Sequence, residues 1–196
     1  MKFMMAATHR LGGLAAGTAA AVLLHAGKVE SGLVIAGAVL GSLIPDIDNR
    51  HSSISRKWVL LSAFVSIGQM IIRAFSSILP RKQRNYIRSL IGHRGITHSL
   101  VPVIVIPLII CLIGHMTGCA GAGTYTAAGI GLGILSHLLF DMLAGGVPLF
   151  MPFSTKRIYL AHIKTGGAVE WIFRVILILV FTYFGMEVIS WQRLLL

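Results

Sequence analysis

Ser136-His137-Leu138-Leu139-Phe140-Asp141 closes a hydrophobic run that occupies residues 124–143, and the reading of this stretch decides the fold. A run of that length suits a helix crossing the hydrocarbon core of a bilayer, which takes about 20 residues at roughly 1.5 Å each. On such a helix His137 and Asp141, four positions apart, project from one face with about 6 Å between them along the axis. An ionisable pair inside an apolar segment is costly, so it marks a functional position.

The rest of the chain agrees with a membrane setting. Of 196 residues, 56% are hydrophobic and 12% charged, and the mean hydropathy of +0.84 is far above that of a soluble domain. Further apolar runs occupy residues 11–27, 32–44, 99–116 and 171–191. The last carries Trp171 and Trp191 at its two ends, a separation of about 30 Å on a helix, which fits two interfacial anchors. Arg174, one turn inside it, is expected to snorkel. Residues 58–79 are apolar but run into Arg73, Arg81, Lys82, Arg84 and Arg88, so this piece is expected to lie in the interface or to re-enter. The predicted fold is all-α: a polytopic membrane helix bundle of about five spanning helices plus one interfacial or re-entrant helix, with residues 1–196 forming a single integral membrane domain.

Lys2 and Arg10 precede the first apolar run, and with no clear cleavage context after it the run is expected to be a retained helix rather than a signal peptide. Cys111 and Cys119 lack a paired spacing and read as free packing residues. Glycines in the first two runs, with Gly129, Gly131 and Gly133, allow close helix packing within a monomer or between protomers.

Charge sets the orientation. The net charge of +11 is read here as cytoplasmic retention and headgroup contact, not as a nucleic-acid footprint. If residues 58–79 do not span, every lysine and arginine except Lys28 and Arg193 falls on one face. That face is then cytoplasmic, with the N-terminus inside and the C-terminus outside.

The same face collects the polar clusters: Thr8-His9; Asp46-Ile47-Asp48 with His51; His93 and His98; and His137 with Asp141. They hold five of the eight histidines and three of the six acidic residues, the pattern expected of a metal site. Asp46 and Asp48, two apart after Pro45, are expected to point inward together from an extended turn. Gly95 and Thr97 fit a loop leading into a helix N-terminus, where free N–H groups favour an anion, and Arg94 adds a planar fork suited to phosphate. His25 and His115 read as interfacial residues, and His162 as a surface residue on the cytoplasmic side.

Gly92-His93-Arg94-Gly95-Ile96-Thr97-His98-Ser99 resembles the H-R-G-x-T-H-S signature of the YdjM-like bacterial membrane-bound metal-dependent hydrolases. Leu43-Ile44-Pro45-Asp46-Ile47-Asp48 is similar to that family's L-x-P-D-I-D segment. The stretch from Ser136 to Asp141, continued by Gly146-Val147-Pro148-Leu149-Phe150-Met151-Pro152, looks like its S-H-x-x-x-D and G-V-P-L-x-x-P block. The resemblance covers residues 6–153. Asn49 stands where family members often carry histidine, with His51 two positions on, and Ala144 replaces a common threonine. A weaker likeness, at the H-x-x-x-D pair alone, is to the all-helical zinc-dependent phospholipase C and nuclease group.

Together these readings lead to a metal-dependent hydrolase at the cytoplasmic face of the bacterial inner membrane, acting on a phosphoester of a lipid or lipid-linked substrate. His9, Asp46, Asp48, His93, His98, His137 and Asp141 are the expected ligands of two divalent ions, Zn²⁺ before Mn²⁺ or Fe²⁺. Arg94 is expected to clamp phosphate, and Asp48 or Asp141 to serve as general base. The alternatives are a metal-binding transporter or sensor without hydrolytic activity, and a lipid-organising scaffold using residues 81–94.

Overall fold

A computed structural model describes residues 6–48, 59–92 and 94–194. Among the described residues seven α-helices follow in order: α1 (Ala6–Leu23), α2 (Lys28–Gly41), α3 (Val59–Ser76), α4 (Arg81–Leu90), α5 (Leu100–Met116), α6 (Ala120–Ala144) and α7 (Ala168–Leu194). Short 3₁₀ turns lie at Ile44–Asp48 and Ile96–His98. Among the described residues there is no strand, only an isolated bridge between Val147 and Ile158 in the loop after α6.

α6 is the central post, packed against α1, α2 and α5, while α1 also packs against α2 and α7. One stripe of α6 carries Ile130, Ile134 and Leu138 at helical spacing, all buried against Val103, Ile106 and Ile110 of α5 and against Ile44 and Leu149. Toward α2 the stripe is glycine. A methyl group on Gly129 or Gly133 would run into the carbonyls of Val34 and Ala38, and one on Gly37 would sit 2.8 Å from the carbonyl of Thr126. The two helices therefore meet backbone to backbone, and this glycine packing lies within one chain.

α2 stops at Gly41 because Pro45 lacks an N–H and disfavours helix in the residue before it. The chain then winds through Ile44–Asp48 as a 3₁₀ turn, not the extended turn expected around Asp46 and Asp48.

Two helix boundaries also differ from the hydropathy runs. α1 begins at Ala6, so Thr8 and His9 lie in its first turns; Arg10 stays exposed and bonds back to the Ala6 carbonyl. α7 begins at Ala168 and takes in Glu170. The expectation of about five spanning helices is not met by length and hydropathy. Among the described residues α6 and Ala168–Ser190 of α7 are long and apolar enough, whereas α2 has 14 residues and α5 has 17, about 21 and 25 Å of helix. Glycine and alanine dilute α2, which is built for close packing, whereas α5 falls short by length alone.

α3 and α4 form a hairpin that touches the rest of the bundle mainly at the first 3₁₀ turn. Leu60, Phe64, Phe75 and Ile78 are exposed, and no residue of α4 is buried. Asp46 and His98, on either side of this hairpin, are 3.8 Å apart. The chain therefore leaves and returns to the same end of the bundle, as an interfacial or re-entrant segment does.

Candidate metal centre

Four elements deliver five polar side chains to one end of the bundle. His9 comes from the start of α1, Asp46 from the turn after α2, His98 from the turn before α5, and His137 and Asp141 from the last two turns of α6. The Asp141 carboxylate is the hub. The Nε2 atoms of His98, His137 and His9 lie 3.3, 3.6 and 3.7 Å from its oxygens. Asp46 closes the other side, 3.8 Å from His98 Nε2 and 3.9 Å from His137 Nε2. The His9 ring stacks on His137 with centroids 3.9 Å apart, and His98 meets His137 edge-on.

The imidazoles are oriented from behind. His137 Nδ1 lies 2.7 Å from the Ser42 carbonyl oxygen, which can only accept, so Nδ1 carries the proton and Nε2 presents a lone pair to the centre. That carbonyl is in reach because Gly133 lets Ser42 approach α6, one turn before His137. His98 Nδ1 pairs with the Thr97 hydroxyl at 3.0 Å. Ser99 caps α5 by accepting from the Val101 amide, which fixes the turn carrying His98.

Arg94 is buried, in a left-handed conformation with φ of 58°. Its guanidinium donates to Asp141 Oδ1 at 2.5 Å and to the Gly146 carbonyl at 3.3 Å. The fork read as a phosphate clamp therefore holds the hub carboxylate. The lack of a side chain at Gly145 leaves room for this, since a Cβ there would displace the guanidinium. Burial draws Arg94 below its ordinary pKa, and the Asp141 carboxylate opposes that shift.

Can these residues hold a cation? Ligand atoms on a tetrahedral ion with bonds of about 2.0–2.1 Å are separated by about 3.3–3.4 Å, close to the spacings seen here. His9 with His137 and Asp141, and Asp46 with His98 and His137, form two overlapping ligand groups. Among the described residues the buried His137 Nε2 has no hydrogen-bond partner, the state of a nitrogen that awaits a ligand. The donor set of imidazole and carboxylate suits Zn²⁺, Mn²⁺ or Fe²⁺.

Because its Nδ1 is committed to Ser42, His137 has one nitrogen to give, so the two groups describe one centre sharing that atom. A second ion would draw on His93 and Asp48. His93 and His51 lie outside the described residues, as does the side chain of Asp48. His162 is exposed and stacks on Tyr159; His25 and His115 are exposed and far along the chain from any ligand group.

Sequence reasoning missed a second polar knot beside the first. Arg174 does not snorkel: it is buried, with Nε donating to Thr8 Oγ1 at 2.8 Å and Nη2 to Glu170 at 3.1 Å. Thr8 in turn donates to Glu170 Oε1 at 2.6 Å. The signal was present, since Glu170 and Arg174 are an ionisable pair four apart at a helix start, as His137 and Asp141 are at a helix end.

Residues 4–194 match the YdjM inner membrane protein family. The chain belongs to that family. It is 32% identical over 169 residues to YvsG of Bacillus subtilis (strain 168), an uncharacterized protein, the match covering 85% of each chain. Over 126 residues it is 33% identical to the inner membrane protein YdjM of Escherichia coli (strain K12), which covers 61% of this chain and 49% of that one. The same figures hold for YdjM of Shigella flexneri. The chain thus aligns with about half the length of the two YdjM relatives. No solved structure matches. The family places the protein in a bacterial inner membrane, and the H-R-G-x-T-H-S run that suggested YdjM is here the loop that brings Arg94 and His98 to Asp141.

Proposed function

We propose that this YdjM-family protein is a metal-dependent hydrolase whose centre faces the cytoplasm and whose substrate is a phosphoester of a lipid or lipid-linked molecule. The observation that carries the reading is the convergence of three imidazole Nε2 atoms on the Asp141 carboxylate at one end of the bundle, with Asp46 facing two of them.

When bound, a divalent ion supplies Lewis-acid chemistry, acidifying a water and polarising a phosphoryl oxygen. The chain's own residues do the remaining work. His9, His98, His137 and Asp141 hold the ion, and Arg94 fixes the rotamer of Asp141. Asp46, the one partly exposed member at 26% side-chain exposure, stands where a substrate would enter and is positioned to take a proton from water. A second ion would draw on Asp48, two residues after Asp46, and on His93, next to Arg94 in sequence. A centre at the headgroup level meets a lipid phosphoester by lateral diffusion within the leaflet. Transport is the weaker reading because transporter sites lie near the bilayer midplane on broken helices, whereas these ligands sit at helix ends.

The test uses purified protein reconstituted with Zn²⁺ or Mn²⁺ and a panel of phospholipid and polyprenyl-phosphate substrates. Phosphoester cleavage by the parent that falls at least a hundredfold in His137→Ala is expected. Equal rates in both, or metal flux into proteoliposomes with no cleavage, would overturn the proposal.

A further inference from the structure

His9 is the ligand with no hydrogen bond of its own to aim it. His137 is held by the Ser42 carbonyl and His98 meets the Thr97 hydroxyl, but among the described residues His9 Nδ1 has no partner. Its ring is located by stacking on His137, by the tilted Phe140 ring 6.0 Å away, and by wherever α1 is placed. Phe140 itself lies over Gly12 and against Phe173 of α7. The position of α1 relative to α6 and α7 therefore decides whether His9 reaches the centre.

One residue earlier, Thr8 is locked. Its hydroxyl donates to Glu170 Oε1 at 2.6 Å and accepts from Arg174 Nε at 2.8 Å, and it is fully buried. Glu170 is held at its other oxygen by the Gly166 amide at 2.6 Å. An ion pair in such surroundings persists where its geometry is complete. Here completing it requires the Thr8 hydroxyl as both donor and acceptor.

We infer that the Thr8–Glu170–Arg174 knot is a positioning device for the metal centre, pinning the first turn of α1 to α7 so that His9 presents its imidazole to the ion. This rests on the metal reading above. The last helix thereby acts on the centre although it contributes no ligand.

The experiment is a Co²⁺ titration of the full-length protein in detergent, following the ligand-field absorption, with Thr8→Val, Thr8→Ser, His9→Ala and the Thr8→Val/His9→Ala double variant. Thr8→Val keeps the shape and removes both bonds; it is expected to weaken Co²⁺ binding about tenfold or more, as loss of an orienting partner does. Thr8→Ser is expected to stay within about threefold of the parent, and the double variant to bind no more weakly than His9→Ala alone.

Parent affinity in Thr8→Val, or an equal further loss in the His9→Ala background, would overturn the positioning role and leave the metal reading intact. A parent that binds no Co²⁺ would overturn both. If Thr8→Val does not reach the folded pool, Glu170→Gln takes its place in the same cycle, since it keeps the volume and an oxygen for the Gly166 amide. Weaker binding that disappears in the His9→Ala background then supports the positioning role, and unchanged binding overturns it.

Discussion

His137 Nδ1 donates to the backbone carbonyl of Ser42, 2.7 Å away across the α2–α6 contact. A candidate ligand is thus aimed by a main-chain atom from the end of a different helix, and the glycine stripe that brings the helices together also sets the His137 ring. Gly133→Ala would force Ala38 and Ser42 off α6. It is expected to reduce metal affinity about 10–100-fold, measured by competition with a chromophoric chelator. Gly121→Ala, with nothing within 4 Å of the added methyl, is expected to leave affinity unchanged.

Asp141 and Asp46 should separate structural from metal-binding loss. Asp141→Asn deprives the buried Arg94 of its carboxylate, and breaking a buried pair costs about 3–5 kcal/mol. Asp46→Asn leaves no buried charge unpaired and is expected to cost under about 1 kcal/mol. Both should lower metal content, but only the first should shift chemical denaturation in detergent by that amount.

Metal should stabilise the bundle by mass action. At a free Zn²⁺ concentration a hundred times Kd the expected gain is about 2.7 kcal/mol, seen as a rise in Tm that chelator reverses. His98→Ala is expected to abolish the rise, because His98 bridges Asp46 and Asp141. An unchanged Zn²⁺ response in this variant would remove His98 from the ligand set.

Cys119 offers a direct reading of orientation. It is exposed in the turn between α5 and α6, at the opposite end of the bundle from Asp141. With Cys111→Ala as background, a membrane-impermeant maleimide is expected to label Cys119 in intact spheroplasts. Labelling only after permeabilisation would place the centre on the outer face.

The fold class and most of the centre were legible in the sequence for a shared reason. A histidine or carboxylate at the edge of an apolar run stands out, and helices joined by short loops bring alternate ends together, so residues as distant as His9 and Asp141 fall on one face. The number of crossings was less legible, because glycine lowers hydropathy and shortens a run while improving the packing that Gly37 and Gly133 show. Partners were the least legible. Nothing in the spacing of Arg94 says that its fork closes on Asp141 rather than on a phosphate. A lone Arg174 near a helix start reads as a snorkelling residue until Thr8 is found beside it. The turn at Asp46 was misread because two carboxylates flanking an isoleucine suit extended and 3₁₀ backbone equally.

Asp46 keeps about a quarter of its side chain in contact with the outside, while His98, His137 and Asp141 are sealed to within 3%. Traffic to the interior then has a single doorway among these groups, guarded by a carboxylate that attracts cations and repels anions until a cation has arrived. Loading would come first and an anionic guest second, an order of entry imposed by the wall rather than by the chemistry within it.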